Sequence, residues 1–225
     1  MKIVILCGGQ GTRLREETEY RPKPMVPVGG RPILWHIMRR YMQYGFHEFI
    51  LCLGYRGNMI KEYFLHYEAL NQDFTMQVGK WHATRYHQDE GVQDMTVTLA
   101  DTGEETMTGA RIKRIEKYLD GDLFMLTYGD GLIDLDLRAL LAFHQSHGKL
   151  ATMTTVVPLS RYGEVKLDDQ GRILDFKEKP AIQGWASAGY FVFHRKVLDG
   201  LSADAGCVLE REPLEALVRD GQLMA

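Results

Sequence analysis

A glycine-rich segment that directly follows an apolar run is the feature that most constrains the fold of this chain. The apolar run Lys2–Cys7 predicts a short buried strand. Gly8, Gly9 and Gly11 come next, so the backbone can turn tightly and approach a ligand closely. Because successive free N–H groups in such a turn form a concavity that binds anions, the segment predicts a strand ending in a phosphate-binding loop.

Cationic side chains follow the glycines. Arg13 and Arg15 carry permanent charge in a geometry that matches phosphate, and Lys23 stands between two prolines. The loop matches neither the P-loop nor the dinucleotide-binding glycine pattern, and the nearby prolines prevent a long helix from beginning here. A glycine-rich turn with solvated arginines is the alternative interpretation. The glycines, Arg13 and Lys23 together favour a site for a highly anionic phosphate ester.

Strand and helix patterns alternate along the first half of the chain. Buried strands are predicted at 2–7, 49–53 and 123–127, a half-exposed strand at 95–99, and helices from 32, over 58–68, over 109–119 and from 136 to 147. Weaker strands are predicted near 74–78 and 84–88. The second half adds strands at 151–157, 163–167, 172–177 and 186–194 and a helix at 210–220. This pattern predicts an α/β fold with a mostly parallel sheet and added antiparallel strands, in one domain without an internal boundary.

Charge and cysteine content exclude several classes of partner. The net charge of −3 argues against a general binder of nucleic acid or of acidic membranes. Cys7, Cys52 and Cys207 are odd in number and far apart, so we expect free thiols in a reducing cytoplasm. No apolar run approaches the ~18 residues that a membrane span needs. We therefore expect a cytoplasmic protein with neither nucleic acid nor membrane as a partner.

A carboxylate follows the third buried strand. Asp130 stands between Gly129 and Gly131 at the carboxyl end of that strand, the edge at which open α/β sheets bind ligands. Such a carboxylate can reach a Mg²⁺ ion that bridges phosphates. An ordinary turn aspartate is the alternative. Because the glycine loop is expected at the same sheet edge, we favour the metal site.

Two further groups of charged residues have less specific patterns. Period-two alternation would put Lys177 and Lys179 on one strand face and Glu178 on the other, where a lysine could hold a second phosphate. On spacing alone, a solvated strand end is the better interpretation. His144 and His147 come late in a helix, where cations complement the dipole. The histidines lack the four ligands of a structural zinc site, so we expect none.

The motifs taken together resemble the sugar-1-phosphate nucleotidylyltransferases. The order and spacing match at Gly8-Gly9-x-Gly11-Thr12-Arg13-Leu14, Pro22–Met25, Gly129-Asp130-Gly131 and Glu178-Lys179-Pro180. Within that family the cytidylyltransferase branch is most similar, at 30–38, 54–55, 61–64, 97–103, 108–114 and 128–131. The resemblance covers nearly the whole chain.

The resemblance implies a three-layer, Rossmann-like α/β core that transfers CMP from CTP to α-D-glucose 1-phosphate, with Mg²⁺ as cofactor. The products would be CDP-glucose and pyrophosphate, and the pathway would be lipopolysaccharide O-antigen biosynthesis. We also expect a homo-oligomer. A thymidylyl- or uridylyltransferase acting on a sugar 1-phosphate is an alternative, and so is a nucleotide-sugar-binding module without catalysis.

Residue roles follow from the same resemblance. The catalytic residues would be Lys23, Arg13 and Asp130, with Asp130 also holding the metal. The residues that would bind the nucleotide are Leu6, Gly8, Gly9, Gly11, Thr12, Arg13, Lys23, Thr108 and Gly129. The residues that would bind the sugar phosphate are Glu178, Lys179, Ser187 and Gly189.

The chain departs from the family pattern in two places. Ser187-Ala188 stands where the family has Asn-Gly, and a hydroxyl replaces only one of the two hydrogen bonds of an amide group. We therefore expect a different or less tightly bound sugar. Family members also continue past the segment matching 221–225 and carry a second metal-binding aspartate there. The single domain, residues 1–225, is thus expected to lack that C-terminal segment.

Overall fold

A seven-stranded sheet forms the centre of the computed structural model, which describes residues 1–9, 20–80, 83–87, 94–182 and 184–225. From edge to edge its strands are β13 (Leu223–Met224), β9 (Ala151–Val156), β12 (Ala186–His194), β8 (Leu123–Tyr128), β1 (Lys2–Leu6), β4 (Glu48–Leu53) and β7 (Thr96–Asp101). Strand β1 pairs in parallel with β4 and β8, as β4 does with β7 and β13 with β9. Strand β12 is antiparallel to both β8 and β9, so the predicted mostly parallel sheet with added antiparallel strands is confirmed.

Helices cover both faces of the sheet and complete three layers. They are α1 (Ile33–Gln43), α2 (Gly57–Leu65), α3 (Tyr67–Asn71), α4 (Thr108–Arg114), α5 (Leu137–His147) and α6 (Glu212–Arg219). Side chains of β1 alternate between two buried clusters: Ile3 and Ile5 pack with α1 and α5, whereas Val4 packs with α4 and α6. Because both faces are buried, the strand appears in the sequence as a continuous apolar run.

Three short antiparallel pairs lie outside the main sheet. They are β2 (Pro27–Val28) with β3 (Arg31–Pro32), β5 (Asp73–Thr75) with β6 (Arg85–His87), and β10 (Glu164–Leu167) with β11 (Ile173–Lys177). Short 3₁₀ helices occupy Lys23–Met25, Glu116–Tyr118 and Arg195–Gly200. The prolines around Lys23 thus limit the chain there to one short turn, as expected.

Local signals fixed most element boundaries. Asp136 caps α5, where its Oδ1 accepts hydrogen bonds from the amides of Arg138 and Ala139 at 2.9 and 3.0 Å. Helix α1 ends shortly before Gly45, whose φ of 86° ends the helical path. The helix predicted over 58–68 is instead two helices, α2 and α3, which meet at His66.

Cysteines and histidines differ in how well the sequence predicted their state. All three cysteines are free, and Cys7 and Cys52 are buried as expected.

His144 is also buried, with its Nδ1 2.9 Å from the Thr152 hydroxyl. Burial, with smaller contributions from His147 and His194, lowers the pKa of His144 to about 4. The expectation of a cation at this position is therefore wrong, because His144 is neutral at pH 7.

Among the described residues, no helix has the length and apolar character needed to cross a membrane.

Candidate active site

The carboxyl ends of β1, β4 and β8 meet at one edge of the sheet and bring the two glycine segments together. The Cys7 amide donates to the Cys52 carbonyl at 3.0 Å, and the Gly129 amide donates to the Leu6 carbonyl at 3.0 Å. A Cβ atom on Gly129 would lie 2.7 Å from Pro24 Cγ. Close packing therefore requires glycine at position 129.

A cavity of about 200 Å³ opens at this edge. The described residues that line it are Leu6, Cys7, Gly8, Gly9, Lys23, Pro24, Thr106, Met107, Thr108, Arg111, Tyr128, Gly129 and Asp130. Six predicted nucleotide-binding residues are among them, namely Leu6, Gly8, Gly9, Lys23, Thr108 and Gly129, together with the predicted metal ligand Asp130. Gly11, Thr12 and Arg13 lie outside the described residues, so their predicted roles stay predictions.

Lys23 and Asp130 form an ion pair in this cavity. The two residues are 107 positions apart in the chain, yet Lys23 Nζ lies 3.0 Å from Asp130 Oδ2. Side-chain exposure is 18 % for Lys23 and 44 % for Asp130, so the pair is partly accessible to a ligand. The 3₁₀ turn at Lys23–Met25 holds the lysine backbone, with the Met25 amide donating to the Pro22 carbonyl at 2.8 Å. The predicted catalytic cation and the predicted metal carboxylate are therefore neighbours.

Arg111, to which the sequence analysis gave no role, lies beneath the glycine segment. The side chain is buried, and its guanidinium donates to the Gly8 and Leu53 carbonyls at 3.0 Å each. It also donates to Thr102 Oγ1 and to the carbonyls of Gly103 and Glu104, at 2.8, 2.7 and 3.1 Å respectively. One side chain thus connects the segments that follow β1, β4 and β7.

Arg111 also explains why two positions around it are glycine. A Cβ atom on Gly8 would lie 2.2 Å from the guanidinium carbon, and one on Gly54 would lie 2.4 Å from a guanidinium nitrogen. The sequence signal was weak: an arginine in a run of small and apolar residues, Gly109–Ile112, in a helix with further cations at its end.

A second feature that the sequence did not predict is a hydrogen-bond network at Glu210, which includes the predicted nucleotide-binding residue Thr108. Thr108 Oγ1 donates to Glu210 Oε2 at 2.6 Å and accepts from the Leu209 amide at 2.9 Å. The Tyr128 hydroxyl donates to Glu210 Oε1. Burial, the hydrogen bond to Glu210 and the negative charges of Glu210 and Asp130 raise the pKa of Tyr128 well above its ordinary value. The phenol therefore stays protonated.

The predicted sugar-phosphate residues lie outside this cavity. Strand β11 ends at Lys177, and Lys179 has a φ of 44°, so the expected alternation of Lys177 and Lys179 on one face is wrong. Glu178 and Lys179 are each 64 % exposed and approach each other to 3.9 Å. As far as the described residues show, none of the four sugar-phosphate residues lines the cavity.

Gly189 nevertheless places β12 close to the cavity wall. It has a φ of 78°, and a Cβ atom there would lie 2.7 Å from Tyr128 Cδ2. Its amide donates to Ser187 Oγ at 3.2 Å. Tyr128 thus separates the cavity from the strand that carries Ser187 and Gly189.

The side chains of the cavity suit a metal ion that binds together with a nucleotide. Within the described part of the chain, no group of three or more His, Cys, Asp or Glu side chains could hold a metal ion. Asp130 offers one accessible carboxylate beside the glycine segment. Mg²⁺ is commonly bound by one or two carboxylates, with phosphate oxygens and water as its other ligands. The arrangement therefore fits Mg²⁺ carried by a nucleotide.

Comparisons with known proteins agree with this geometry. The sequence model of the nucleotidyl transferase family matches residues 2–217. The glucose-1-phosphate cytidylyltransferase of Salmonella typhi is 45 % identical over 227 residues, which cover 100 % of this chain and 87 % of that protein. The UTP–glucose-1-phosphate uridylyltransferase of a Synechocystis strain is 32 % identical over 209 residues, covering 88 % of this chain and 50 % of that protein.

A solved structure has the same fold. HddC from Yersinia pseudotuberculosis, complexed with GMP-PN, superposes with a TM-score of 0.65 and 23 % identity, covering 94 % of this chain and 84 % of that one. The three-layer core, the family match and the full-length similarity agree. The chain belongs to the nucleotidyl transferase family and, within it, to the glucose-1-phosphate cytidylyltransferases.

Proposed function

We propose that this protein transfers CMP from CTP to α-D-glucose 1-phosphate, releasing pyrophosphate and forming CDP-glucose. One observation carries the proposal: Lys23 and Asp130 meet at 3.0 Å in a cavity that Gly8 and Gly9 also line. A phosphate-binding backbone, a cation and a metal-binding carboxylate are the groups that transfer of a nucleotidyl group requires. The 45 % identity to a protein of the same named activity supports this choice over other transfers.

The substrate itself supplies the nucleophile. A phosphate oxygen of the sugar 1-phosphate attacks the α-phosphorus of CTP, and a new phosphorus–oxygen bond forms. The bond from the α-phosphorus to the oxygen bridging to the β-phosphorus breaks, and that oxygen leaves with pyrophosphate. The protein therefore contributes positioning and charge rather than a covalent intermediate.

Lys23 is placed to contribute the charge. Its ammonium is partly buried in the cavity, and the 3₁₀ turn at Lys23–Met25 limits the freedom of its backbone. A preorganised cation stabilises the negative charge that develops on the phosphate oxygens. The backbone amides of Gly8 and Gly9 would bind the triphosphate, and Arg13, by resemblance, would add a second cation.

Asp130 is the residue that would hold Mg²⁺. When bound, the ion would neutralise phosphate charge and favour departure of pyrophosphate. The exposed fraction of the Asp130 side chain, 44 %, leaves its carboxylate accessible to an ion brought by CTP.

The acceptor sugar phosphate would bind on the other side of Tyr128. Lys179 would hold its phosphate, and Glu178, Ser187 and the Gly189 backbone would contact the sugar. The proximity of Gly189 to the Tyr128 ring supports this placement beside the nucleotide cavity.

The wider setting is also part of the proposal. CDP-glucose made by this enzyme would serve lipopolysaccharide O-antigen biosynthesis in the cytoplasm, and the enzyme would act as a homo-oligomer. The free thiols of Cys7 and Cys52 suit a reducing compartment.

Pyrophosphate release tests the proposal directly. The purified protein is assayed with CTP, UTP, dTTP and GTP, each against a panel of sugar 1-phosphates, with and without Mg²⁺. We expect CTP with α-D-glucose 1-phosphate to be the best pair. A preference for UTP or dTTP would contradict the assignment as a cytidylyltransferase. If no pair released pyrophosphate, the alternative of a binding module without catalysis would be favoured.

A further inference from the structure

Glu210 is an exposed carboxylate that accepts hydrogen bonds from two side chains of the cavity wall. Its Oε2 accepts from the Thr108 hydroxyl, and its Oε1 accepts from the Tyr128 hydroxyl. Thr108 and Tyr128 come from different elements, the first turn of α4 and the end of β8. Glu210 therefore determines how both hydroxyl groups are oriented.

The hydrogen bonds already formed determine whether these two hydroxyl groups can donate to a ligand or only accept from it. A hydroxyl carries one proton and can accept through its lone pairs, whereas a carboxylate only accepts. Both protons are committed to Glu210, and the Leu209 amide occupies one lone pair of Thr108. The remaining capacity of both oxygens is therefore that of an acceptor, and a ligand group must donate to them.

The backbone next to Glu210 is held in place by its surroundings. Leu209 is buried, and its carbonyl accepts from the Leu214 amide at 3.1 Å. The preceding segment is bonded to the start of α4, since the Met107 amide donates to the Ala205 carbonyl at 2.8 Å and the Ala110 amide to the Cys207 carbonyl at 3.1 Å. Movement of the backbone at Glu210 away from α4 would break these contacts.

The two kinds of lining residue divide the cavity by chemistry. Lys23 and Asp130 form the charged part, which suits phosphates and their metal. Thr108 and Tyr128 contribute neutral hydroxyl oxygens to the same cavity, which suits an uncharged base. In a bound nucleotide, these two hydroxyl oxygens would form hydrogen bonds with the polar edge of the base.

We infer that Glu210 determines the choice of pyrimidine, because it holds Thr108 and Tyr128 as acceptors for the exocyclic 4-amino group of cytosine. The 4-amino group donates two hydrogen bonds, whereas the 4-oxo group of uracil or thymine is an acceptor. An oxo group would face two acceptor oxygens and lose its hydrogen bonds on leaving water. A site built to receive a donor rejects the analogue that lacks it. This inference rests on the proposed function, since it assumes a cytidine nucleotide in the cavity.

The decisive variant is Glu210→Gln, which keeps the shape but adds an amide donor. The amide can donate to either hydroxyl, which frees that hydroxyl to donate to an oxo group. We expect the ratio of kcat/KM for CTP to that for UTP to fall at least about tenfold, because a hydrogen-bonded site discriminates by such factors. Glu215→Gln, an exposed glutamate of α6, is the matched control and should leave the ratio unchanged.

A second variant and an equilibrium readout complete the test. Thr108→Val removes one acceptor, and its ratio should also fall. Binding of CMP and UMP is measured by calorimetry for all four proteins, with thermal unfolding as the check on folding. An unchanged CMP-to-UMP preference in both Glu210→Gln and Thr108→Val would overturn the inference while leaving the proposed function intact.

The two proposals fail in different ways. A wild-type protein that prefers CMP to UMP but releases no pyrophosphate contradicts the proposed activity, and its binding ratios still test Glu210. A wild-type preference for UTP contradicts both proposals.

Discussion

The nucleotide side and the sugar-phosphate side of the candidate site are built differently. On the nucleotide side, residues from β1, α4 and β8 line one cavity and are held in place by hydrogen bonds of Arg111, which also lines it, and of Glu210. On the sugar-phosphate side, Glu178 and Lys179 extend from the end of a two-stranded ribbon and are mostly exposed. The fold thus preorganises the nucleotide side, whereas the residues of the sugar-phosphate side would gain their partners only when the substrate binds.

This difference separates two kinds of substitution effect. Changes on the preorganised side should alter turnover or stability, because the affected groups have fixed partners. Changes on the exposed side should alter the affinity for one substrate, because the affected groups gain their partners only on binding.

The largest effect is expected from Asp130→Asn. Loss of the carboxylate charge should lower turnover at least about 1,000-fold, because the site would lose several kcal/mol of metal-dependent stabilisation. The partly exposed side chain predicts almost no change in thermal unfolding. Turnover is measured by pyrophosphate release over a Mg²⁺ titration. An unchanged Mg²⁺ dependence would mean that the metal lies elsewhere.

Lys23→Ala should come next, with turnover reduced at least about 100-fold. Removing one preorganised electrostatic group typically costs a few kcal/mol in the transition state. Lys80→Ala, an exposed lysine that is not part of the cavity lining, serves as the control. If the turnover of Lys23→Ala stayed within a few-fold of the wild-type value, the proposed catalytic role of Lys23 would be contradicted.

Arg111→Met tests whether the cavity depends on its internal support. The carbonyls of Gly8, Leu53, Gly103 and Glu104 and the Thr102 hydroxyl would each lose one hydrogen bond, several of them in buried surroundings, so we expect a loss of about 3 kcal/mol in the free energy of unfolding. Urea unfolding measures the loss, and Arg172→Met provides an exposed arginine as the comparison. Equal stability of the two variants would contradict the supporting role of Arg111.

The smallest effect is expected from Lys179→Ala. The KM for glucose 1-phosphate should rise about tenfold, as expected for one lost hydrogen bond to a charged group, while the KM for CTP changes less than about twofold. Lys177→Ala is the neighbouring control, and steady-state kinetics with each substrate varied in turn provide the measurement. A matching rise in the KM for CTP would show that the two sides do not act separately.

The sequence predicted the central strands β1, β4 and β8 well because they are buried on both faces, whereas the short edge strand β13 was not predicted. Continuous apolar runs such as those of β1 and β8 need no knowledge of their neighbours to be recognised. Their glycine-containing ends could be placed at one sheet edge because parallel strands share it. The sequence therefore predicted that Gly8, Gly9, Gly129 and Asp130 lie together, and all four line one cavity.

Other features depend on contacts that a linear pattern does not contain. Arg111 resembles any basic residue near a helix end until the fold surrounds it with carbonyls. His144 was expected to carry charge, but burial beside Thr152 makes it neutral. The alternation expected at Lys177 and Lys179 fails because Lys179 takes a left-handed backbone conformation, which ends the extended path.

The contacts that shape the cavity also bear on the order in which the chain can become functional during synthesis. Gly8 and Arg111 are 103 positions apart, Lys23 and Asp130 are 107 apart, and Thr108 and Glu210 are 102 apart. The glycine segment leaves the ribosome first, yet its support follows a hundred residues later. Long-range contacts of this kind form late, because loop closure must precede them. A nascent chain that has not yet reached Glu210 should therefore be unable to distinguish CTP from UTP.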